Sequence, residues 1–186
     1  MSENKKTRLL LHCCCAPCAT YVIEYLRRRD YDITLFFYNP NIEPVEEYDR
    51  RKGELIKLLQ KGKYKPEIIL LENEYDNDVY KNAVQALHDH PEGGTRCEVC
   101  YGLRFDETAK RAKADGYDIF TTTLSVSPHK NAEMLNEMGQ KASEKYDIEY
   151  MQADFKKNDG YLRSIELTSR FGLQRQNYCG CSNSMR

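Results

Sequence analysis

Five short apolar runs, each followed by a longer stretch of helical spacing, constrain this chain more than any other feature. They are LLL within residues 8–12, ITLFFY at 33–38, IILL at 68–71, IFTTT at 119–123 and IEYM at 148–151. All fall far short of the roughly 20 residues that cross a bilayer. After the first run, Val22, Ile23, Tyr25 and Leu26 recur at helical spacing from residue 18 or 19 up to three arginines at 27–29. A second helix is predicted over 45–59 with Tyr48, Leu55, Ile56 and Leu59 inward, and others over 78–87, 97–114, 131–145 and 160–171. Such alternation predicts an α/β fold, a mostly parallel sheet with helices on both faces. The expected organisation is one α/β domain over 1–186, its site at the carboxyl ends of the strands, with a functional, cysteine-bearing C-terminal tail at 174–186.

The turn after the first run reads HCCCAPC, so Cys13, Cys14, Cys15 and Cys18 fall where such folds bind ligands. Pro17 suits the first turn of the next helix, where its missing N–H breaks no hydrogen bond. Cys97 and Cys100 open another helix, and Cys179 and Cys181 lie in the tail. The N-terminal stretch holds no apolar segment of signal-peptide length, so a cytoplasmic location is expected. A reducing compartment argues against structural disulfides and for metal or redox chemistry. Separate thiol groups at helix starts can converge on one metal, since N–H groups and the helix dipole favour thiolate there. Zinc and an iron-sulfur cluster both take such ligands. Adjacent cysteines lean toward the cluster, whose separate iron corners each accept one thiolate. A closed zinc site that only ties loops together, or buried unligated thiols, are the plainer alternatives.

Cys179-Gly180-Cys181 is a different signal. Two thiols around one flexible glycine can close a small, strained and easily reduced ring, as an electron relay requires, while further metal ligands or an inert tail fit the same residues. His12 abuts the cysteine turn as a proton donor, a brace for a thiolate or a polar strand end. Ser125, Ser127, Pro128, His129 and Lys130 follow the fourth run and suit phosphate or substrate binding, or a helix cap. Tyr101, Tyr161 and Tyr178 offer rings to stack on a base. The formal charge of −1 hides an uneven chain: Lys and Arg exceed Asp and Glu by 13 to 9 over residues 1–66 and by 6 to 2 over 155–186, and are outnumbered 9 to 18 between. If the basic ends meet they make a phosphate-attracting face, although scattered solvated charge gives the same count.

Taken together, His12-x-Cys14-Cys15-Ala16-Pro17-Cys18, Cys97-x-x-Cys100-Tyr101 with Arg104, TTTLSVSPHKN, Phe155-Lys156-Lys157 through Gly160-Tyr161, and Arg175-Gln176-x-Tyr178-Cys179-Gly180-Cys181 resemble the QueH family of epoxyqueuosine reductases over residues 8–181. The resemblance implies an adenine-nucleotide-hydrolase-like (Rossmann-like) fold with the cysteine turn in place of a phosphate loop. It implies a 4Fe-4S cluster on Cys14, Cys15, Cys97 and Cys100 and a redox-active disulfide at Cys179 and Cys181, with Cys13 a bystander. It also implies the reaction: two-electron reduction of the epoxide of epoxyqueuosine, at the tRNA wobble position, to the cyclopentene of queuosine with loss of water. A cluster ordinarily passes one electron at a time. The dithiol is then one candidate second store, and an additional iron on Cys18, acting as a Lewis acid, is another option. A proton for the departing oxygen falls to His12, Asp154 or Tyr178.

The implied partner is tRNA, its anticodon loop read by shape and stacking, with Lys156, Lys157, Arg163, Arg170 and Arg175 as phosphate contacts. An electron donor is required and is not identified by the sequence, and no membrane is involved. Two rivals differ in class. A zinc-stabilised RNA-binding module without catalysis leaves CGC without a role. A tRNA-thiolation or sulfur-carrier enzyme needs a glycine-rich phosphate loop, and none follows the first run.

Overall fold

The computed structural model describes residues 6–184. Residues 1–5, and Met185 and Arg186 at the end of the expected tail, lie outside the described residues. Strands β1 (Arg8–His12), β2 (Asp32–Phe37), β3 (Ile69–Glu72), β4 (Ile119–Thr122) and β5 (Glu149–Tyr150) make a sheet ordered β3-β2-β1-β4-β5, with each pairing parallel. Around it lie helices α1 (Ala16–Arg27), α2 (Val45–Lys61), α3 (Asn77–Val84), α4 (Thr95–Ala114), α5 (Ala132–Tyr146) and α6 (Gly160–Arg170). Among the described residues no helix is long and apolar enough to cross a membrane.

The leucine run is buried throughout because both faces of β1 are covered. Leu9 and Leu11 pack with residues of α1 and α2, while Leu10 points the opposite way, into Phe36, Phe105, Phe120 and Leu135. From β1 the chain winds outward through β2 to β3, then returns to place β4 on the other side of β1. The loops leaving β1 and β4 therefore diverge, opening a crevice at the carboxyl edge of the sheet. The cysteine turn and the 123–130 loop stand on its two sides.

Several elements differ from the sequence expectation. Helix α1 opens at Ala16, two or three residues earlier than expected, because Cys15 is extended and Pro17 fits the first turn. In α2 the buried stripe is Tyr48, Arg51, Leu55, Leu58 and Leu59. Ile56, expected inward, lies off that stripe and is 36% exposed. Helix α3 ends at Val84 and a single 3₁₀ turn, Gln85–Leu87, completes the segment. Helix α4 opens at Thr95, after Gly94, so Cys97 and Cys100 fall on its first turns. Strand β5 is only two residues long, matching the short stretch of β4 that it pairs.

Candidate thiol-lined active site

Strand β1 ends on His12, walled in at 1% exposure. The Tyr38 carbonyl, 3.0 Å from Nε2, can only accept, so the proton resides there and Nδ1 accepts from the Thr122 hydroxyl at 2.9 Å. Burial, with the Arg104 guanidinium second, pulls the imidazole down to about 4, so the ring is neutral at pH 7. Cys13 turns into the core, where its Sγ donates to the Leu11 carbonyl at 3.4 Å and burial pushes the thiol well up. Asn39 Nδ2 donates to the Cys13 carbonyl at 2.9 Å and fixes the turn.

Cys14, Cys15 and Cys18 bring their sulfurs within 4.8 Å of one another, a group able to hold a metal ion. The Cys14 and Cys15 sulfurs are 3.7 Å apart. Two thiolates on one tetrahedral ion with bonds of about 2.3 Å stand roughly 3.8 Å apart. Hydrogen bonds from Cys15 and Cys18 pull Cys14 well below the ordinary thiol range, and the same bonds push those two up, so Cys14 is the most acidic of the three. Helix α1 has no side-chain cap, which leaves its first-turn N–H groups facing this charge.

Helix α4 likewise lacks a side-chain cap. The Gly93 N–H donates to Cys97 Sγ at 3.2 Å. One turn further on, the buried Arg104 reaches back and donates to Cys100 Sγ at 3.4 Å, and to Asn39 Oδ1 at 3.5 Å. Asn39 thereby ties the cysteine turn to α4. Burial pushes the Cys100 thiol up to about 12, even with Arg104 beside it. Burial also works against the charge on Arg104, but Cys100, Cys179, Tyr101 and Cys14 outweigh it and hold the guanidinium charged. A buried cation among thiols supplies counter-charge to whichever of them ionises.

The tail is clasped to the start of α2. Arg51, 2% exposed, donates from Nε to the Glu47 carboxylate at 2.6 Å and from its Nη groups to the carbonyls of Cys179 at 3.0 Å and Tyr178 at 3.1 Å. The Glu43 N–H donates to the Gly180 carbonyl at 2.9 Å, its carboxylate accepts from the Ser182 N–H at 2.9 Å, and its carbonyl accepts from the Tyr178 hydroxyl at 3.0 Å. Cys181 is buried against Cys100, Tyr80 and Val84, and donates to Ser184 Oγ at 3.4 Å. Cys179 faces the other way, with Lys130 Nζ 2.9 Å from its sulfur.

Between turn and tail lies a cavity of about 280 Å³, walled by Cys14, Cys15 and Cys18, by the 127–130 loop and by residues 175–179. Of the residues singled out from the sequence, Cys14, Cys15, Pro17, Cys18, the 127–130 loop with Lys130, Tyr161, Arg175, Tyr178 and Cys179 line it. His12, Cys97, Cys100 and Cys181 stand behind its walls. Asp154 is also off the cavity, paired with Lys156 at 2.7 Å. Arg175 stacks over Tyr161 at 5.6 Å on the cavity rim. Arg163 is forked onto Glu24 and Glu166, whereas Lys157 and Arg170 are exposed. Arg51 and Glu43 escaped the sequence reading because their tail partners lie more than 120 positions away. Lys130 stood out only within its loop, and nothing local pairs it with Cys179.

A Rossmann-like α/β protein that gathers three groups of thiols around one crevice at the carboxyl edge of its sheet is, by fold and site, a thiol-dependent metal or redox protein. Residues 9–186 match the family model described as Epoxyqueuosine reductase QueH, and the chain belongs to that family. It is 41% identical to Epoxyqueuosine reductase QueH of Streptococcus pyogenes serotype M1, over 96% of this chain and 71% of that protein. It is 35% identical to the protein of the same name from Thermotoga maritima, over 95% and 90%. Among solved structures, one described as a predicted subunit of tRNA methyltransferase from Methanocaldococcus jannaschii superposes with a TM-score of 0.58 at 13% identity, covering 88% of this chain and 74% of that one. That likeness is one of fold.

Proposed function

We propose that this chain reduces the epoxide of epoxyqueuosine in tRNA to the cyclopentene of queuosine. The observation that supports this best is that Cys14, Cys15 and Cys18 share one cavity with Cys179 of the tail, while the buried Arg104, bonded to Cys100, is held charged by Cys100, Cys179 and Cys14. Cys14, Cys15, Cys97 and Cys100 are the proposed holders of a 4Fe-4S cluster. They fit it in chemistry: the donors are all sulfur, they open two uncapped helices, and Arg104 offsets thiolate charge. When bound, such a cluster supplies one-electron transfer. The tight spacing of Cys14, Cys15 and Cys18 supports a single additional iron as a second arrangement.

Cys179 and Cys181 are the proposed dithiol. Closing their S–S bond releases two electrons and two protons, which is what an epoxide takes up in becoming an alkene and water. The Tyr161 ring and Arg175 guanidinium suit an unstacked base at the rim, with Lys157 and Arg170 toward the phosphates. We place the reaction in the cytoplasm, with an external electron donor restoring the dithiol.

The test is iron, sulfide and zinc content with an absorption spectrum on anaerobically purified protein, followed by conversion of epoxyqueuosine tRNA read by nucleoside mass spectrometry. About four irons and four sulfides with a brown chromophore that bleaches on reduction, and appearance of queuosine, are expected. One zinc and no sulfide after anaerobic reconstitution would end the cluster mechanism.

A further inference from the structure

We infer that Lys130 carries the proton of the reaction: its amino group, within hydrogen-bond reach of the Cys179 sulfur, gives a proton to the oxygen leaving the substrate and takes up the one that Cys179 releases on oxidation. This rests on the reduction proposed above.

The geometry makes the case. Lys130 is 8% exposed, its Nζ lies 2.9 Å from Cys179 Sγ, and it lines the same cavity as Cys14 and Cys18. The groups expected from sequence to supply this proton are worse placed. His12 is walled off with both ring nitrogens engaged, Asp154 is off the cavity, and the Tyr178 hydroxyl already donates to the Glu43 carbonyl.

Burial works against the charge on Lys130, and Arg104 opposes it as well, but the neighbouring Cys179 outweighs both and favours the ammonium. As the S–S bond forms, the ammonium gives its proton to the oxygen in the cavity and takes up the one that Cys179 releases. Oxidation and proton release are thereby coupled.

The balance closes. The Cys179 and Cys181 thiols lose two electrons in forming the S–S bond and give up two protons, the one from Cys179 passing through the Lys130 amino group. The epoxide gains the two electrons, both of its C–O bonds break, a C=C bond forms, and the oxygen leaves as water. An external dithiol reductant then returns two electrons and two protons, restoring both thiols.

The experiment compares the full-length, metal-loaded wild type with Lys130→Met and Lys130→Arg. It reads iron content, thiol titre, the site-resolved rate of Cys179 alkylation by iodoacetamide at pH 7, and turnover. In Lys130→Met, alkylation of Cys179 should slow about tenfold and turnover fall at least about 100-fold, the usual scale of a lost proton transfer, with iron and thiols unchanged. Lys130→Arg should keep the alkylation rate, because a cation still faces the sulfur, yet stay as slow in turnover, because a guanidinium does not give up its proton. Turnover of Lys130→Met within a few-fold of wild type overturns the inference, as does full recovery in Lys130→Arg. A wild type that alkylates as expected but never yields queuosine overturns the reaction itself, and is told apart because the parent is silent too.

Discussion

Gly180 shows how tightly the segment of the proposed dithiol is seated. Its φ of +125° belongs to the region that disfavours side chains, and a Cβ there would lie 2.8 Å from Ile42 Cγ1. Gly180→Ala is therefore expected to lift the tail and expose Cys181, read as faster alkylation of that thiol, with iron content unchanged and turnover reduced. Arg51 is the other half of the seat. Replacing it with Met leaves Glu47 buried without its main partner and should cost about 3 kcal/mol in urea unfolding at pH 7. Burial pushes the Glu47 carboxyl up, but Arg51 and Arg50 outweigh it and hold it below the usual carboxylate range. The pair's contribution is thus complete above the unfolded pKa of roughly 4.3 and is lost as pH falls through the lowered folded value. The gap between Arg51→Met and parent should narrow on acidification, and a gap independent of pH would remove the ion pair from the account.

At the scale of elements, α6 separates two kinds of basic residue. Arg163 bonds Glu24 of α1 through Nε at 3.1 Å and Nη2 at 2.9 Å, so its charge is engaged in joining two helices. Arg175, past the end of α6, stands at the cavity rim. Arg175→Ala should lower the slope of log affinity against log salt for tRNA by about 1, and Arg163→Ala should leave that slope near wild type while weakening α6 packing. Equal slopes would undo the distinction. The elements themselves were legible. LLL and ITLFFY read as strands because runs so short cannot be helices, and the carboxyl-edge placement of the cysteines followed from the alternation alone. Ile56 misled because one apolar residue adjoining a stripe cannot be told from one within it. The seat of the tail could not be read either, since Arg51 and Glu43 carry no local mark of partners so far along the chain.

For the molecule as a whole, the proposed division of labour among thiols predicts an asymmetry. Cys97→Ala should abolish iron incorporation, while Cys181→Ala should retain iron and stop turnover. Loss of iron in both would make the tail a ligand rather than a relay. Leu10→Ala, deep between β1 and α4, should instead cost about 2–5 kcal/mol of stability without selecting either thiol group, read by urea unfolding.

The order of the sheet also sets a timetable. Synthesis delivers β1, its cysteine turn and α4 well before Cys179, and the last strand pairing is complete at Tyr150. A growing chain can thus assemble the sheet, and bring its first two thiol groups to one edge, while the final wall of the cavity is still unmade. During that interval the thiols of the cysteine turn stand uncovered on that side; once the tail settles against α2, the cavity gains its last wall.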